Sequence, residues 1–136
     1  MASRLSSENK VSENDYSAPG FWREKEESWR DFMPGITRRL LVNVSAATLA
    51  LYRLKGGSTV PLHSHPQAQY GFCVEGSGVF TVGGKQWQLR KGDSYYIPPS
   101  VTHGLKIDSG PDTLLVEFFT PIRSDFVRDT VPADGP

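Results

Sequence analysis

Pro61-Leu62-His63-Ser64-His65-Pro66-Gln67-Ala68-Gln69 carries two of the chain's three histidines, and the third, His103, answers it further along. Side chains two apart in an extended strand point to one face, so this spacing predicts that His63 and His65 send both rings the same way. Gln69 follows four residues after His65. Three imidazole nitrogens and one amide oxygen brought together make a transition-metal site. The other reading is three histidines satisfied by hydrogen bonds, with no metal held.

On either side of this stretch the chain reads as short strands. β-rich runs cover Arg38–Val44, Thr48–Leu54, Gln69–Glu75, Val79–Val82, Gln86–Arg90, Ser94–Ile97, Thr102–Ile107 and Thr113–Phe119. Gly56-Gly57, Gly76-Ser77-Gly78, Gly83-Gly84, Lys91-Gly92-Asp93, Pro98-Pro99 and Ser109-Gly110-Pro111 separate them. Evenly spaced short strands with such turns indicate an all-β sandwich or barrel. The glycine pairs are hairpin turns rather than phosphate loops, because no helix follows them.

Towards the N-terminus, Phe21 to Met33 (FWREKEESWRDFM) has Trp22, Trp29 and Met33 on one helical face. It predicts a short helix stopped by Pro34-Gly35. Residues 1–20 are Ser-, Asn- and Glu-rich, with the low hydrophobicity of a flexible arm. The expected organisation is an arm over 1–20, a helix over 21–35, a barrel over 36–126 and a tail over 127–136.

Bulk properties narrow the function. At 136 residues the chain is one domain with room for a core. Lys plus Arg number 15 and Asp plus Glu 15, with no long run of one sign, which argues against nucleic acid or an acidic membrane surface as partner. Cys73 is the lone cysteine, so no internal disulfide forms; in a strand it reads as a small buried hydrophobe. With no apolar leader and no apolar run of spanning length, the expectation is a soluble cytoplasmic protein.

The spacing Gly57, five residues, His63-Ser64-His65, three residues, Gln69, six residues, Gly76 resembles the first motif of the cupin superfamily. Gly92, five residues, Pro98, then His103 resembles the second. The resemblance implies a six-to-eight-stranded jelly-roll barrel. It also implies a single divalent transition metal (Fe, Mn, Ni, Zn or Co) on His63, His65, Gln69 and His103. Gln67 is the nearby alternative to Gln69, at a poorer offset. Three positions depart from the pattern: Gln69 stands where glutamate is usual, Ser100 where glycine is, and Ile107 where asparagine is. A neutral ligand set leaves the ion's charge uncompensated, which favours Lewis-acid chemistry and disfavours oxidation of iron(II).

Acid–base chemistry needs a titratable partner. Thr113-Leu114-Leu115-Val116-Glu117-Phe118-Phe119 offers a lone carboxylate in an apolar run. By alternation Glu117 and Phe119 share one face, and Val116 and Phe118 the other. If the first face looks inward, Glu117 is a buried carboxyl with a raised pKa, suited to proton transfer. If it does not, Glu117 is a structural or surface charge. Arg123 would hold a substrate carboxylate if it lies at the cavity mouth, and is a surface charge otherwise. Of Tyr95 and Tyr96, on opposite faces, at most one is near the metal.

HSHP-x-x-Q, GDSYYIPP-x-x-x-HG and E-F-F-T-P-I-R together resemble the small KdgF-type cupins, over roughly Met33 to Phe126. Those proteins convert 4,5-unsaturated uronates into linear keto sugars. The resemblance places catalytic roles on Glu117, Phe119 and Arg123; Glu117 stands where aspartate is typical. It implies a small carboxylate-bearing substrate and a homodimer. Similar cupins serve as dioxygenases, polyketide-type cyclases and non-catalytic binders of small ligands, and fold does not choose among these.

Overall fold

Pro34-Gly35 closes the first hairpin of the structure, a computed structural model that describes residues 19–25 and 28–129. Gly35 has φ of 77°, the left-handed value that the third position of a type II turn requires, with proline favoured just before it. The turn pairs Met33 with Ile36 and joins β1 (Trp29–Met33) to β2 (Ile36–Val44). The helix expected over Phe21–Met33 is therefore corrected. Phe21–Lys25 has no regular secondary structure, Glu26 and Glu27 lie outside the described residues, and Trp29–Met33 is an edge strand. Three apolar residues at helical spacing are overridden by tertiary partners: Arg53 lies 4.8 Å over the Trp29 ring, and Phe32 meets Tyr52 edge-on at 5.8 Å.

The chain continues through β3 (Ala47–Leu54), β4 (Thr59–His63), β5 (Ala68–Glu75), β6 (Ser77–Val82), β7 (Lys85–Arg90), β8 (Ser94–Ile97), β9 (His103–Ile107) and β10 (Thr113–Thr120). A short 3-10 helix, Ser124–Asp129, follows. Among the described residues ten strands thus stand where six to eight were expected, β1 and β4 being additions to the runs read in the sequence. The arm over 1–20 and the tail over 127–136 fall mostly outside the described residues.

Two antiparallel sheets face each other. One has six strands in the order β1-β2-β3-β10-β5-β8, and the other four in the order β4-β9-β6-β7. The core fills the space between them. Ile36, Leu54, Ile97, Leu115 and Phe119 come from the first sheet, and Phe80, Leu89, Leu105 and Ile107 from the second. Each such side chain contributes about 1.5–3 kcal/mol by leaving water. This is the jelly-roll arrangement of an all-β barrel. The inward face of β10 and the ends of β4, β5 and β9 line one cavity between the sheets. No helix among the described residues is long and apolar enough to cross a membrane.

Candidate functional site

His63 ends β4 and stands directly opposite His103 on β9. His65 lies beyond the strand, in the loop to β5, and its carbonyl accepts a hydrogen bond from Ser100 N at 2.8 Å. The rings of His63 and His65 therefore meet because the chain turns, and not by strand alternation. Ring centroids lie 4.3 Å apart for His63 and His103, 4.9 Å for His65 and His103, and 5.8 Å for His63 and His65. One nitrogen from each comes within 4.8 Å of the others.

The main chain orients these rings. Nδ1 of His63 lies 2.8 Å from Pro61 O, that of His65 3.0 Å from Gln67 O, and that of His103 2.9 Å from Val101 O. A carbonyl only accepts, so each Nδ1 carries the hydrogen and each Nε2 is left with a lone pair. His103 Nε2 is buried with no hydrogen-bond partner. Burial holds the His103 pKa down at about 4, and burial, then the charge of Arg123, lowers that of His65. Protons are thus poor occupants of His65 and His103.

Gln69, on β5, points into the same space. Its Oε1 lies 2.9 Å from His65 Nε2, and its Nε2 donates to Glu117 Oε1 at 2.5 Å. A neutral His65 has one ring hydrogen for two acceptors, Gln67 O and Gln69 Oε1; with that hydrogen on Nδ1, the Nε2 lone pair and Gln69 Oε1 are both free to face one cation. Two ligands held cis at about 2.1 Å from one ion stand roughly 3 Å apart. The donor set and the orphaned His103 nitrogen fit a divalent transition metal. Gln67 is not among the residues that line the cavity; its Nε2 donates to Ile122 O at 3.1 Å, and its Oε1 is buried without a partner.

Glu117 occupies the middle of β10, between Ala50 of β3 and Gly71 of β5. The inward face of β10 carries Thr113, Leu115, Glu117 and Phe119, all buried. Desolvation pushes the Glu117 pKa up to about 7, against hydrogen bonds from Tyr95 and Gln69 and the charge of Arg123, which pull it down. The Tyr95 hydroxyl donates to the other carboxylate oxygen, Oε2. Tyr95 remains a phenol, because burial and the neighbouring Glu117 charge raise its pKa well above 10. Tyr96, on the opposite face, is exposed.

Phe119 packs edge-on to His65 at 5.5 Å and lies under the Arg123 guanidinium at 4.8 Å. Arg123 follows β10, with its N–H donated to Thr48 Oγ1 at 2.8 Å. Its guanidinium also covers Phe126 at 4.1 Å. The histidines, Gln69, Glu117, Phe119 and Arg123 all line a single cavity of about 240 Å3, whose remaining walls are mostly apolar.

The cupin-domain family profile matches residues 50–119, just over half of the chain. The chain belongs to the cupin family. In structure this cupin is similar to KdgF from Halomonas sp., with a TM-score of 0.74 and 26% identity, covering 80% of this chain and 99% of that one. It is similar to an RmlC-like cupin from Shewanella frigidimarina, with a TM-score of 0.73 and 27% identity, over 80% and 96% of the two chains. In sequence it is 28% identical to the H2HPP isomerase of Bacillus subtilis over 95 residues, 69% of this chain and 40% of that protein. This cupin spans about 40% of the length of the curated relatives it matches.

Two residues that support this cavity without lining it were not singled out from the sequence. Arg38, on β2, lies 3.7 Å over Phe126 and 4.2 Å over Phe32, and bonds the Tyr52 hydroxyl. Alternation puts it on the face of Ile36 and Leu40, both buried, but a charged residue between two core positions reads as a surface group until its ring partners are seen. Gly71 faces the Tyr95 ring, and its signal was present, since a glycine inside a strand marks a close approach.

Proposed function

We propose that this cupin is a metal-dependent enzyme that moves protons on a small, enolisable, carboxylate-bearing substrate. Its reaction is the KdgF-like conversion of a 4,5-unsaturated uronate to a linear keto sugar. The observation that carries this reading is the Gln69 amide, which spans from the imidazole cluster to a buried carboxyl with a pKa of about 7. His63, His65 and His103 through Nε2, and Gln69 through Oε1, would hold one divalent ion. When bound, the ion supplies Lewis acidity to the substrate's oxygens.

The chain's own residues do the rest. Arg123 binds the substrate carboxylate at the cavity rim. Phe119 forms the wall beneath both Arg123 and His65 and keeps water from that side. Glu117 takes the proton of the anomeric hydroxyl as the bond from that carbon to the ring oxygen breaks. It returns the proton to C4 as the resulting enolate becomes a ketone at C5, so the proton count balances. A carboxyl with a pKa near neutrality suits both halves of this exchange.

The apolar walls support a second reading, a polyketide-type cyclase, because Tyr52, Phe80, Leu105 and Phe126 suit an aromatic substrate better than a polyhydroxylated one. The deciding experiment mixes metal-loaded protein with 4,5-unsaturated galacturonate and follows the conjugated alkene absorbance. The expected result is loss well above the spontaneous rate, abolished by metal stripping and by Glu117→Gln. Loss at the spontaneous rate only would sink the uronate reading and leave the cyclase.

A further inference from the structure

We propose that Tyr95 is a positioning residue for the imidazole cluster, acting through Glu117 to fix which end of the Gln69 amide faces the histidines. The inference rests on the reading that the three histidines and Gln69 hold a metal.

One row across the six-stranded sheet runs Ala50, Glu117, Gly71, Tyr95, from β3 through β10 and β5 to β8. Tyr95 and Glu117 are thus two strands apart, with β5 between them. Strands in a sheet lie about 4.8 Å apart, so the two Cα atoms are separated by roughly twice that. A phenol bridges this gap only if its ring lies flat over the intervening strand. Gly71 is what permits it: a Cβ there would run into the Tyr95 ring and hydroxyl. Phe80, from the opposite sheet, meets the ring edge-on at 4.6 Å and holds it down.

The consequence is a chain of donors. Tyr95 donates to Glu117 Oε2, and Gln69 Nε2 donates to Glu117 Oε1. The two ends of a glutamine amide are nearly the same size, yet only the oxygen can be a ligand; the NH2 group has no lone pair to offer. With its Nε2 committed to the carboxylate, Gln69 can turn only Oε1 towards His65. Tyr95 in turn fixes the rotation of the carboxyl group, so that Oε1 of Glu117 stays within reach of the amide. Such outer partners set ligand orientation and metal affinity at many metal sites.

The test titrates cobalt(II) into metal-stripped protein and follows its visible absorption band. Tyr95→Phe keeps the ring and its contact with Phe80 and removes only the hydroxyl. The expected result is an affinity for cobalt lowered about tenfold, with a shifted band. Gly71→Ala, which keeps the hydroxyl but displaces the ring, should change the band in the same direction. In a Glu117→Ala background, adding Tyr95→Phe should change neither affinity nor band, since the intermediary is gone. An unchanged band and affinity in Tyr95→Phe would overturn the proposal, as would losses that multiply independently in the double variant. A lowered melting temperature with an unmoved band would also overturn it, by leaving Tyr95 a merely structural part. Failure of the wild-type protein to bind cobalt at all would instead overturn the metal reading, and this inference with it.

Discussion

Arg123 grips Asp125 through two parallel hydrogen bonds, Nε to Oδ1 at 3.0 Å and Nη2 to Oδ2 at 2.7 Å. The guanidinium side chain is 12% exposed and the carboxylate 59%, so a buried fork is held by a wet partner. Arg123 holds the Asp125 pKa below the usual carboxylate range. A pair of this kind is worth about 0–1 kcal/mol, little enough for a substrate carboxylate to displace. Asp125→Asn should therefore lower KM for an acidic substrate about two- to fivefold with kcat unchanged. Arg123→Lys, which loses the fork, should raise KM by about tenfold or more. Steady-state kinetics on both variants checks the pair, and an Asp125→Asn variant with a raised KM would refute the competition.

Glu117→Gln should lower turnover by roughly 10^2- to 10^4-fold, the range for losing a general acid or base. A glutamine still accepts from Gln69, so metal content, measured by elemental analysis, should stay near one ion per chain. Turnover within a few-fold of wild type would remove Glu117 from the chemistry.

The same carboxyl gives the metal-free protein a pH signature. Its pKa is about 7 folded against an ordinary 4.5, so the folded state binds the proton more tightly. Its contribution is fully present below pH 4.5 and is lost as pH rises through 7. Removing the charge removes that loss, so metal-free Glu117→Gln should gain on wild type between pH 4.5 and 8. The full gain is roughly 3 kcal/mol, and denaturant melts at several pH values would read it. His103 works the other way. With a folded pKa of about 4 against 6.5, it adds stability above pH 6.5 that disappears as pH falls towards 4.

Ser100 has φ of 64°, at the position where the second cupin motif usually has glycine. A side chain in this region costs about 1 kcal/mol. Ser100→Gly should recover about that much in a thermal melt and leave metal binding intact, because Ser100 reaches the site only through its backbone N–H to His65 O. A destabilised variant would show that the serine side chain supplies something glycine cannot.

Most strands and turns of this chain were legible because glycine, proline and aspartate punctuate its reversals, the Ser45-Ala46 turn between β2 and β3 excepted. The cupin family was legible because its two motifs lie at their proper offsets. What failed has physical reasons. Trp29–Met33 lacks alternation and earns its place in the sheet only through β2, Arg53 and Tyr52, partners no local pattern announces. Thr59–His63 contains Pro61 and is missing from the β-rich runs read in the sequence, yet it pairs with β9 as an outer strand where a missing N–H is tolerated. Glu117 and Phe119 lie on the inward face of β10, which alternation could pair but could not aim. The link from Tyr95 to Glu117 depends on three strands in register, a relation that exists only once the sheet is built.

The Nδ1 hydrogens of all three histidines end on peptide oxygens two residues away, and none ends on a side chain. The tautomers are thereby written into the path of the main chain, which point mutation cannot delete. The residues to which the proposed chemistry is assigned, Glu117, Gln69, Tyr95 and Arg123, act through side chains that exchange one at a time. Such a scaffold can change its chemistry over evolutionary time while its three-imidazole face persists untouched.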